Sequence, residues 1–310
     1  MITVAGSLAY DYIMNFSGSI AGNFLQKKID RISLSFIADK MQKGYGGTAG
    51  NIAYTISLLG LKTQILGTAG TDFAEYKEFL DQAGVDTSKI SIRKKDFTAT
   101  GFVITDMENN QIWSFYAGAM LHDVELHIPK KTDFMIIAPT IETAMINFVK
   151  ECRQQNIPFL VDPGFQLPRL NKEQALELIK GAKVFLCNDY ELELFQTKTG
   201  LNIDQILQQI ETLIVTKGKK GAYIKRNKEK TINISVAKAD AVIDPTGAGD
   251  CFKAGFVAGL ISGKPLSVCA KIGSVAAAYT VEKSGTTSHY FTRDQFCKRY
   301  QDNYQEKLLF

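Results

Sequence analysis

Asp250 ends a run of small residues that could bind a phosphate group and assist its transfer. The sequence Asp244-Pro245-Thr246-Gly247-Ala248-Gly249-Asp250 opens a helix-like run from Cys251 to Ile261. The backbone N–H groups of Gly247 to Gly249 can crowd toward an anion, and the positive end of the helix dipole adds to the attraction. A carboxylate beside that anion can accept the proton of an attacking alcohol. An ordinary turn with Asp250 as the helix N-cap explains the same residues, and both interpretations stay open here.

A second glycine-rich stretch has the composition of a binding loop for sugar hydroxyls. Gly44-Tyr45-Gly46-Gly47-Thr48-Ala49-Gly50-Asn51 precedes a run in which Ile52, Ile56 and Leu59 recur at helical spacing. The glycines indicate a close approach to the backbone, and Asn51 can both donate to and accept from hydroxyls. A tight structural turn explains the stretch equally well. A dinucleotide-binding G-x-G-x-x-A motif is disfavoured, because no clear strand leads into the stretch and no ribose-binding acid follows at the expected spacing.

Short apolar runs alternate with helical patterns through much of the chain. The N-terminal stretch from Ile2 to Ile13 is predicted as a first strand. Further strands are predicted at 134–138, 158–161, 184–186 and 213–216, and helices at 143–155 and 172–180. This alternation is typical of βαβ units, whose parallel sheet is covered by helices on both faces. We therefore predict one α/β domain over residues 1–310, with three α/β/α layers and a central, mostly parallel sheet.

Two segments interrupt this alternation and predict a small inserted β-sheet. Residues 98–105 and 111–116 are rich in β-branched and aromatic residues, and the polar residues 106–110 between them are typical of a hairpin turn. Residues 13–38 are irregular, with strand-like alternation at 33–36. Because ligands of open α/β sheets bind at the carboxyl ends of the strands, we expect a lid there formed by about 13–38 and 98–117. A dimerisation edge is the alternative, and one sheet can serve both roles.

Composition and charge exclude several classes of protein. The formal net charge is only +4, from 36 basic and 32 acidic residues that are interspersed, so no nucleic-acid-binding stripe is expected. The five cysteines form no metal-binding or CxxC spacing, which indicates a reducing cytoplasm. The N-terminus lacks the features of a signal peptide, and the longest later apolar stretch, 266–281, is too short for a membrane span. A small-molecule ligand is expected.

The two glycine-rich stretches together resemble the signature regions of the ribokinase-like carbohydrate kinase family. The resemblance rests on GGTAGN at 46–51 and DPTGAGD at 244–250, and it extends over essentially the whole chain. It implies transfer of the γ-phosphate of ATP to a primary hydroxyl, with Mg²⁺. The amides of Gly247 to Gly249 would form the anion hole, and Asp250 would be the general base.

The resemblance also implies roles for residues elsewhere in the chain. Asn188 and Glu191 would organise Mg²⁺ and the phosphates, directly or through water, although on sequence alone they could be an exposed helix start. The implied contacts with ATP are Thr216, Lys217 and Gly218, together with Asn188, Gly247 and Gly249. The implied contacts with the acceptor are Asp11 at the end of the first strand, Gly46, Gly47, Asn51 and Gln166. Asp244 and Thr246 resemble positions that bind a monovalent cation, so K⁺ is a candidate ion.

The acceptor predicted from these patterns is a nucleoside rather than a plain sugar. Sugar kinases of this family often carry Asp-Pro-Asn-x-Arg in mid-chain, where this sequence has Asp162-Pro163-Gly164-Phe165-Gln166. The N-terminal GSLAYDYIM, GGTAGNIAY and NNQIWSFYAGAM look more like nucleoside kinases, adenosine kinase among them. Trp113, Phe115 and Tyr116 could provide a flat wall for a base. A ribose or fructose kinase is the alternative within the family, whereas a non-catalytic binding protein would not need Asp250.

Overall fold

Strands and helices alternate to build three layers from most of the chain. The computed structural model describes residues 1–20, 35–108 and 110–308. Its strands are β1 (Ile2–Ala5), β2 (Ala9–Asn15), β3 (Lys40–Gly46), β4 (Thr63–Ala69), β5 (Ile90–Ile92), β6 (Ala99–Thr105), β7 (Gln111–Tyr116), β8 (Phe134–Ile137), β9 (Phe159–Val161), β10 (Val184–Asn188), β11 (Thr212–Thr216), β12 (Ala222–Arg226) and β13 (Ile232–Ile234). Its helices are α1 (Thr48–Leu58), α2 (Ala74–Gln82), α3 (Glu142–Gln155), α4 (Lys172–Ile179), α5 (Asp189–Thr199), α6 (Ile203–Ile206), α7 (Ala248–Ile261), α8 (Leu266–Val281) and α9 (Arg293–Tyr304).

The central sheet is parallel except at one edge. Within the described residues its order is β13-β12-β11-β10-β9-β8-β1-β4-β5. Neighbouring strands from β11 to β5 are parallel, whereas β12 and β13 add antiparallel pairs. The predicted three-layer fold with a mostly parallel sheet is confirmed. The antiparallel edge strands β12 and β13 were not predicted.

Both faces of the central sheet are buried, as a parallel sheet requires. In β8, Phe134 and Ile136 pack into the core on the side of α1, α2, α7 and α8, whereas Met135 and Ile137 pack on the side of α3 to α6. A fully buried side chain of this kind contributes about 1.5–3 kcal/mol to stability. The layers therefore fix the strand ends firmly, and with them the loops that carry the candidate site residues.

Four helices begin with the same reciprocal cap. At the starts of α4, α5, α6 and α9 the N-cap side chain accepts the N–H of the residue three positions on, whose side chain accepts the N-cap N–H. The third-position residue is glutamine in α4, α6 and α9, but Glu191 in α5. Such a capping box satisfies N–H groups that have no partner inside the helix.

The smaller sheet stands apart from the central one and has the order β3-β2-β6-β7. The predicted hairpin is confirmed, because β6 and β7 pair antiparallel, from Thr100 with Tyr116 to Thr105 with Gln111. The Asp106 carboxylate fixes its turn by accepting the N–H groups of Glu108 and Asn110.

Three expectations about this sheet were wrong in detail. The N-terminal stretch forms two strands, since β1 ends at Ala5 and β2 joins the smaller sheet; Asp11 therefore lies inside β2 rather than at the end of the first strand. A strand, β3, does lead directly into the glycine-rich stretch. Ser35 and Phe36 form no strand, and the rest of the alternation expected at 33–36 lies outside the described residues, as do residues 21–34 of the expected segment 13–38.

Among the described residues, no helix has the length and apolarity that crossing a bilayer requires.

Candidate active site

The glycine-rich run at 244–250 begins helix α7 with a left-handed residue. Gly247 is the N-cap with φ of 78°, and a Cβ there would lie 2.9 Å from Cγ2 of Thr286. Gly249 and Asp250 lie in the first turn, where backbone N–H groups have no carbonyl partner within the helix. Ala248 differs, because its N–H donates to the carbonyl of Pro245 at 3.2 Å. Of the N–H groups expected in the anion hole, that of Ala248 therefore already has a backbone partner.

Asp250 is not the helix N-cap, and its carboxylate bonds to other elements of the fold. Asn51 Nδ2 of α1 donates to Asp250 Oδ2 at 2.8 Å. Lys253 Nζ lies 2.8 Å from Asp250 Oδ1, one turn along α7. Lys253 also pairs with Asp162, in the loop after β9. Helices α1 and α7 and this loop thus meet around Asp250 and Lys253, and residue Asp250 is 8% exposed.

Lys253 is charged in spite of its burial. Its side chain is 4% exposed. Burial acts to lower the pKa of Lys253, but the charges of Asp162 and Asp250 outweigh this effect and raise it above its ordinary value. The cluster of Asp162, Lys253 and Asp250 therefore carries two negative charges and one positive charge when all three are ionised.

A cleft of about 200 Å³ opens beside this cluster. Asn188 and Glu191 line it together with the three clustered side chains. The two residues form the capping box of α5: Glu191 Oε2 accepts the N–H of Asn188, and Asn188 Oδ1 accepts the N–H of Glu191, each at 2.8 Å. The helix start anticipated as an alternative is thus real, but it borders the cleft. Burial, followed by the charge of Asp162, raises the pKa of Glu191.

A larger, apolar cleft of about 400 Å³ adjoins the first and shares Thr216 and Gly249 with it. Gly218 lies in its lining, and the rest of its wall is mostly aliphatic, including Val236, Val242, Pro245, Ala277, Ala278 and Val281. Apolar walls with few polar groups are typical of a site for a flat ring system. Lys217, expected at this site, instead places Nζ 5.4 Å from the ring centre of Tyr223, and Lys219 is the lysine in the lining.

Asp11 lies against glycines on one face of the smaller sheet. A Cβ on Gly46 would lie 2.2 Å from Asp11 Oδ2, and one on Gly101 would lie 3.0 Å from Oδ1. Burial, followed by the charge of Asp244, raises the pKa of Asp11 to about 6. A side chain at position 46 would collide with the carboxylate in this position, and one at position 101 would crowd it.

The aromatic residues of β7 divide between the two faces of the smaller sheet. Strand register pairs Phe115 with Gly101 and Trp113 with Val103, on the face that carries Asp11. A Cβ on Gly101 would lie 3.6 Å from Cζ3 of Trp113. Tyr116 pairs with Thr100 and belongs to the opposite face. Trp113 and Phe115 are 59% and 50% exposed, so they are available for contact.

Two buried amides carry an oxygen without a hydrogen-bond partner among the described residues. Asn51 Oδ1 and Gln166 Oε1 are these atoms. Gln166 Nε2 donates to the carbonyl of Thr140 at 2.6 Å, which holds the amide in place. A buried acceptor without a partner is costly to the fold, and a ligand hydroxyl or N–H would remove the cost. Gly47, with φ of 84°, begins α1 just before Asn51.

Asp244 closes the loop that leads into α7. Its Oδ1 accepts the N–H of Thr246 at 2.9 Å, and its Oδ2 accepts the N–H of Gly285 at 3.1 Å. Burial acts against ionisation, but these hydrogen bonds outweigh it and lower the pKa of Asp244. Thr286, next in the same loop, donates to the carbonyl of Tyr45 in β3 at 3.0 Å. The loop thus touches both the smaller sheet and the start of α7.

The sequence analysis did not identify Lys253 or assign a role to Asp162. Lys253 stands three residues after Asp250, a spacing that places both on one face of a helix, and this was the available signal. Asp162 gave none, because 91 residues separate it from Lys253.

Comparison with known proteins places the chain in a family. The model of the pfkB family of carbohydrate kinases matches residues 8–292. The chain is 34% identical over 301 residues to a nucleoside kinase of Methanocaldococcus jannaschii, covering 96% of each. It also resembles the structure of Burkholderia thailandensis nucleoside kinase in complex with inosine, with 31% identity and a TM-score of 0.90 over 99% of this chain and 100% of the other. The ADP-inosine complex of the Burkholderia protein gives 32% identity and a TM-score of 0.85, covering 99% and 97% of the chains.

The family match spans most of the chain, and relatives of this similarity cover it almost from end to end. The chain therefore belongs to the pfkB family of carbohydrate kinases, on the branch that contains these nucleoside kinases, and it is a kinase that phosphorylates a hydroxyl group of its acceptor.

Proposed function

We propose that this kinase transfers the γ-phosphate of ATP to the 5′-hydroxyl of a nucleoside, with Asp250 as the general base. The observation that carries this proposal is the position of the Asp250 carboxylate. It lies in the first turn of α7, hydrogen-bonded to Asn51, at the edge of a cleft that continues into the apolar one. A carboxylate so placed can take the proton of a hydroxyl while the N–H groups of the turn stabilise the transferred phosphoryl group.

The apolar cleft is the proposed site of the adenine ring of ATP. The charged cleft would then receive the phosphates, because Thr216 and Gly249 border both. The ADP-inosine complex of the Burkholderia relative supports a nucleoside diphosphate as the donor product. Gly249 and Asn188 line the charged cleft and fit contacts with phosphate, as does Gly247 at the start of α7, while Gly218 and Lys219 line the apolar cleft.

The face of the smaller sheet that carries Asp11 is the proposed site of the nucleoside. The Asp11 carboxylate, which lies against Gly46, can accept hydrogen bonds from two ribose hydroxyls, and Gly47 and Asn51 at the start of α1 would complete the site. Trp113 and Phe115, on the same face, would cover the base when the sheet closes as a lid. The oxygen of Gln166 that has no partner among the described residues would accept a donor of the ligand.

Adenosine is the acceptor we propose first. Inosine is the second candidate, because the Burkholderia relative binds it. The two bases differ at C6, where adenine carries an amino donor and hypoxanthine a carbonyl acceptor, and at N1, which accepts in adenine and donates in hypoxanthine. A direct competition between them therefore tests which base the site selects.

The charged cleft fits Mg²⁺ held mainly by phosphates and water. Glu191 and Asp162 line the cleft, and carboxylate oxygens are the ligands that Mg²⁺ prefers. The described residues contain no group of three acidic or other metal-ligating side chains that could enclose an ion. Mg²⁺ bound there would neutralise charge on the phosphates. The ionised Asp244, with Thr246, is the proposed site for K⁺. K⁺ bound there would order the loop that leads into the start of α7.

The opposite face of the smaller sheet is the proposed surface for a second copy of the chain. Tyr12 and Phe102 stack there at 5.5 Å, and Met41 is 64% exposed on the same face. Pairing of two such sheets would cover these apolar side chains and leave the Asp11 face to the nucleoside. Sedimentation of the wild type and of Phe102→Asp tests this: a dimer that becomes a monomer is expected, and a wild-type monomer would contradict it.

The proposed function is tested by Mg²⁺-dependent ADP production with adenosine, inosine, guanosine, cytidine, ribose and fructose. We expect turnover with a purine nucleoside and a 5′-monophosphate product. Asp250→Asn should lower turnover by at least about a hundredfold while nucleoside and ATP still bind, since a general base contributes about that much. Near-normal turnover in the variant would remove Asp250 from its role, and turnover with free sugars alone would overturn the acceptor assignment.

A further inference from the structure

A buried lysine stands between two carboxylates beside the proposed base. Lys253 Nζ lies 2.8 Å from Asp250 Oδ1 and pairs on its other side with Asp162. Asp162 is itself fixed, because its Oδ1 accepts the N–H of Gly164 at 2.8 Å. The chain of contacts thus runs from a rigid turn through Lys253 to Asp250.

Stability alone does not explain this arrangement. Removing three charged groups from water is costly, and apolar side chains of similar volume commonly serve a fold as well or better. The surroundings offer that option, since Cys251, Phe252 and Ala254 of the same helix turn are buried in the core. Charge retained at this depth, in contact with the cleft, therefore points to the chemistry of Asp250.

We propose that Lys253, anchored by Asp162, is a positioning residue that holds the Asp250 carboxylate in one orientation for proton transfer. This inference rests on the proposed function. Asn51 occupies Oδ2 and Lys253 occupies Oδ1, so rotation of the carboxylate is blocked from both sides. Each oxygen keeps a further lone pair that can accept the hydroxyl of the acceptor.

The proton transfer balances without a contribution of protons from Lys253. The O–H bond of the acceptor breaks, its proton passes to Asp250, and its oxygen forms a bond to the γ-phosphorus. The bond from that phosphorus to the bridging oxygen breaks, and ADP leaves with the electron pair. Asp250 then releases its proton to water. Lys253 stays protonated throughout, since its neighbouring carboxylates raise its pKa.

The first test is turnover at saturating nucleoside and ATP, together with KM for ATP, in Lys253→Met. We expect turnover to fall about tenfold to a hundredfold from misorientation of the base. Lys253→Arg should recover part of the loss, and KM for ATP should change less than about threefold.

The second test combines Lys253→Met with Asp250→Asn. If Lys253 acts through Asp250, adding Lys253→Met to Asp250→Asn should reduce turnover by less than about a further threefold, because coupled residues are not additive. A full additional loss would show that Lys253 acts on the phosphates instead, and would overturn the proposal. Near-normal turnover of Asp250→Asn alone would instead refute the proposed base, which separates the two failures.

A purely structural role is separated by charge-balanced and remote variants. Lys253→Met with Asp162→Asn leaves no unpaired Asp162, so it should fold even if Lys253→Met does not, and it should still lose turnover with little change in KM for ATP. Lys271→Met removes a lysine paired with Glu306 away from both clefts and should change neither turnover nor KM. A folded double variant with wild-type turnover would overturn the proposal.

Discussion

Asp11 provides a sharp pH test of the proposed acceptor site. Its pKa is raised to about 6, first by burial and then by the charge of Asp244. An ionised carboxylate is the stronger acceptor for ribose hydroxyls. We expect KM for the nucleoside to be constant above about pH 7 and to rise as the pH falls through 6. At pH 5 only about one carboxylate in ten is ionised, so the rise should approach about tenfold.

Asp11→Asn should remove this dependence. Asparagine keeps one acceptor oxygen but loses the charge, and charge-assisted bonds contribute about 1.5–3 kcal/mol against about 1 for neutral ones. Two such bonds predict a KM about tenfold to a hundredfold above that of the wild type at pH 8, and nearly independent of pH. Initial rates at saturating ATP from pH 5 to 8 measure both effects. Asp39→Asn, which alters an exposed carboxylate near the same sheet, is the matched control.

Asp11→Asn, which should bind the nucleoside more weakly, should nevertheless be more stable than the wild type at neutral pH. Because the folded pKa lies above the ordinary 3.8, the contribution of Asp11 to stability is fully present below about pH 4 and is lost as the pH rises through about 6. At pH 8 the free energy of unfolding of Asp11→Asn should therefore exceed that of the wild type by up to about 3 kcal/mol, at 1.36 kcal/mol per pKa unit, and the variant should melt at a higher temperature. The assignment of Asp11 to the acceptor site is refuted if KM for the nucleoside depends on pH in the same way in the wild type and in Asp11→Asn between pH 5 and 8.

Two further predictions concern the start of α5 and that of α7. Glu191→Gln should raise the Mg²⁺ concentration for half-maximal rate several-fold. The melting temperature should change little, since glutamine completes the same capping box in α4, α6 and α9. An unchanged Mg²⁺ titration would contradict a metal role for Glu191. Gly247→Ala should destabilise the fold by at least about 1–2 kcal/mol in urea unfolding, because φ is 78° and the added Cβ would lie 2.9 Å from Thr286. Gly249→Ala should cost less than half as much, because a Cβ there meets nothing within 4 Å. Equal losses of stability in the two variants would contradict this explanation.

The central sheet could be predicted from sequence because its strands are short, apolar and separated by periodic helices. Strand β3 could not, since Lys40, Gln42, Lys43 and two glycines have weak strand preferences and its first four residues are exposed. It forms because seven register positions pair it with β2, a partner that local pattern does not reveal. The antiparallel edge strand β13 is three residues long, like β9, but it has Asn233 at its centre where β9 is entirely apolar, and the polar segment 227–231 precedes it, so no apolar run marks it.

The candidate site was predicted as separate motifs, and the fold supplies their connection. Gly47 and Gly247 both begin a helix with positive φ, and at each a Cβ would meet neighbouring atoms within 3 Å. The two helix starts can therefore approach other backbone closely, and Asn51 and Asp250, each in a first turn, meet at 2.8 Å although 199 residues apart. The N-termini of α1 and α7 therefore lie near each other, and the positive end of each helix dipole favours an anionic group there. The resemblance named these residues, but only the fold shows that the glycine-rich stretches at 44–51 and 244–250 meet, and that Lys253, which belongs to neither stretch, pairs with Asp250.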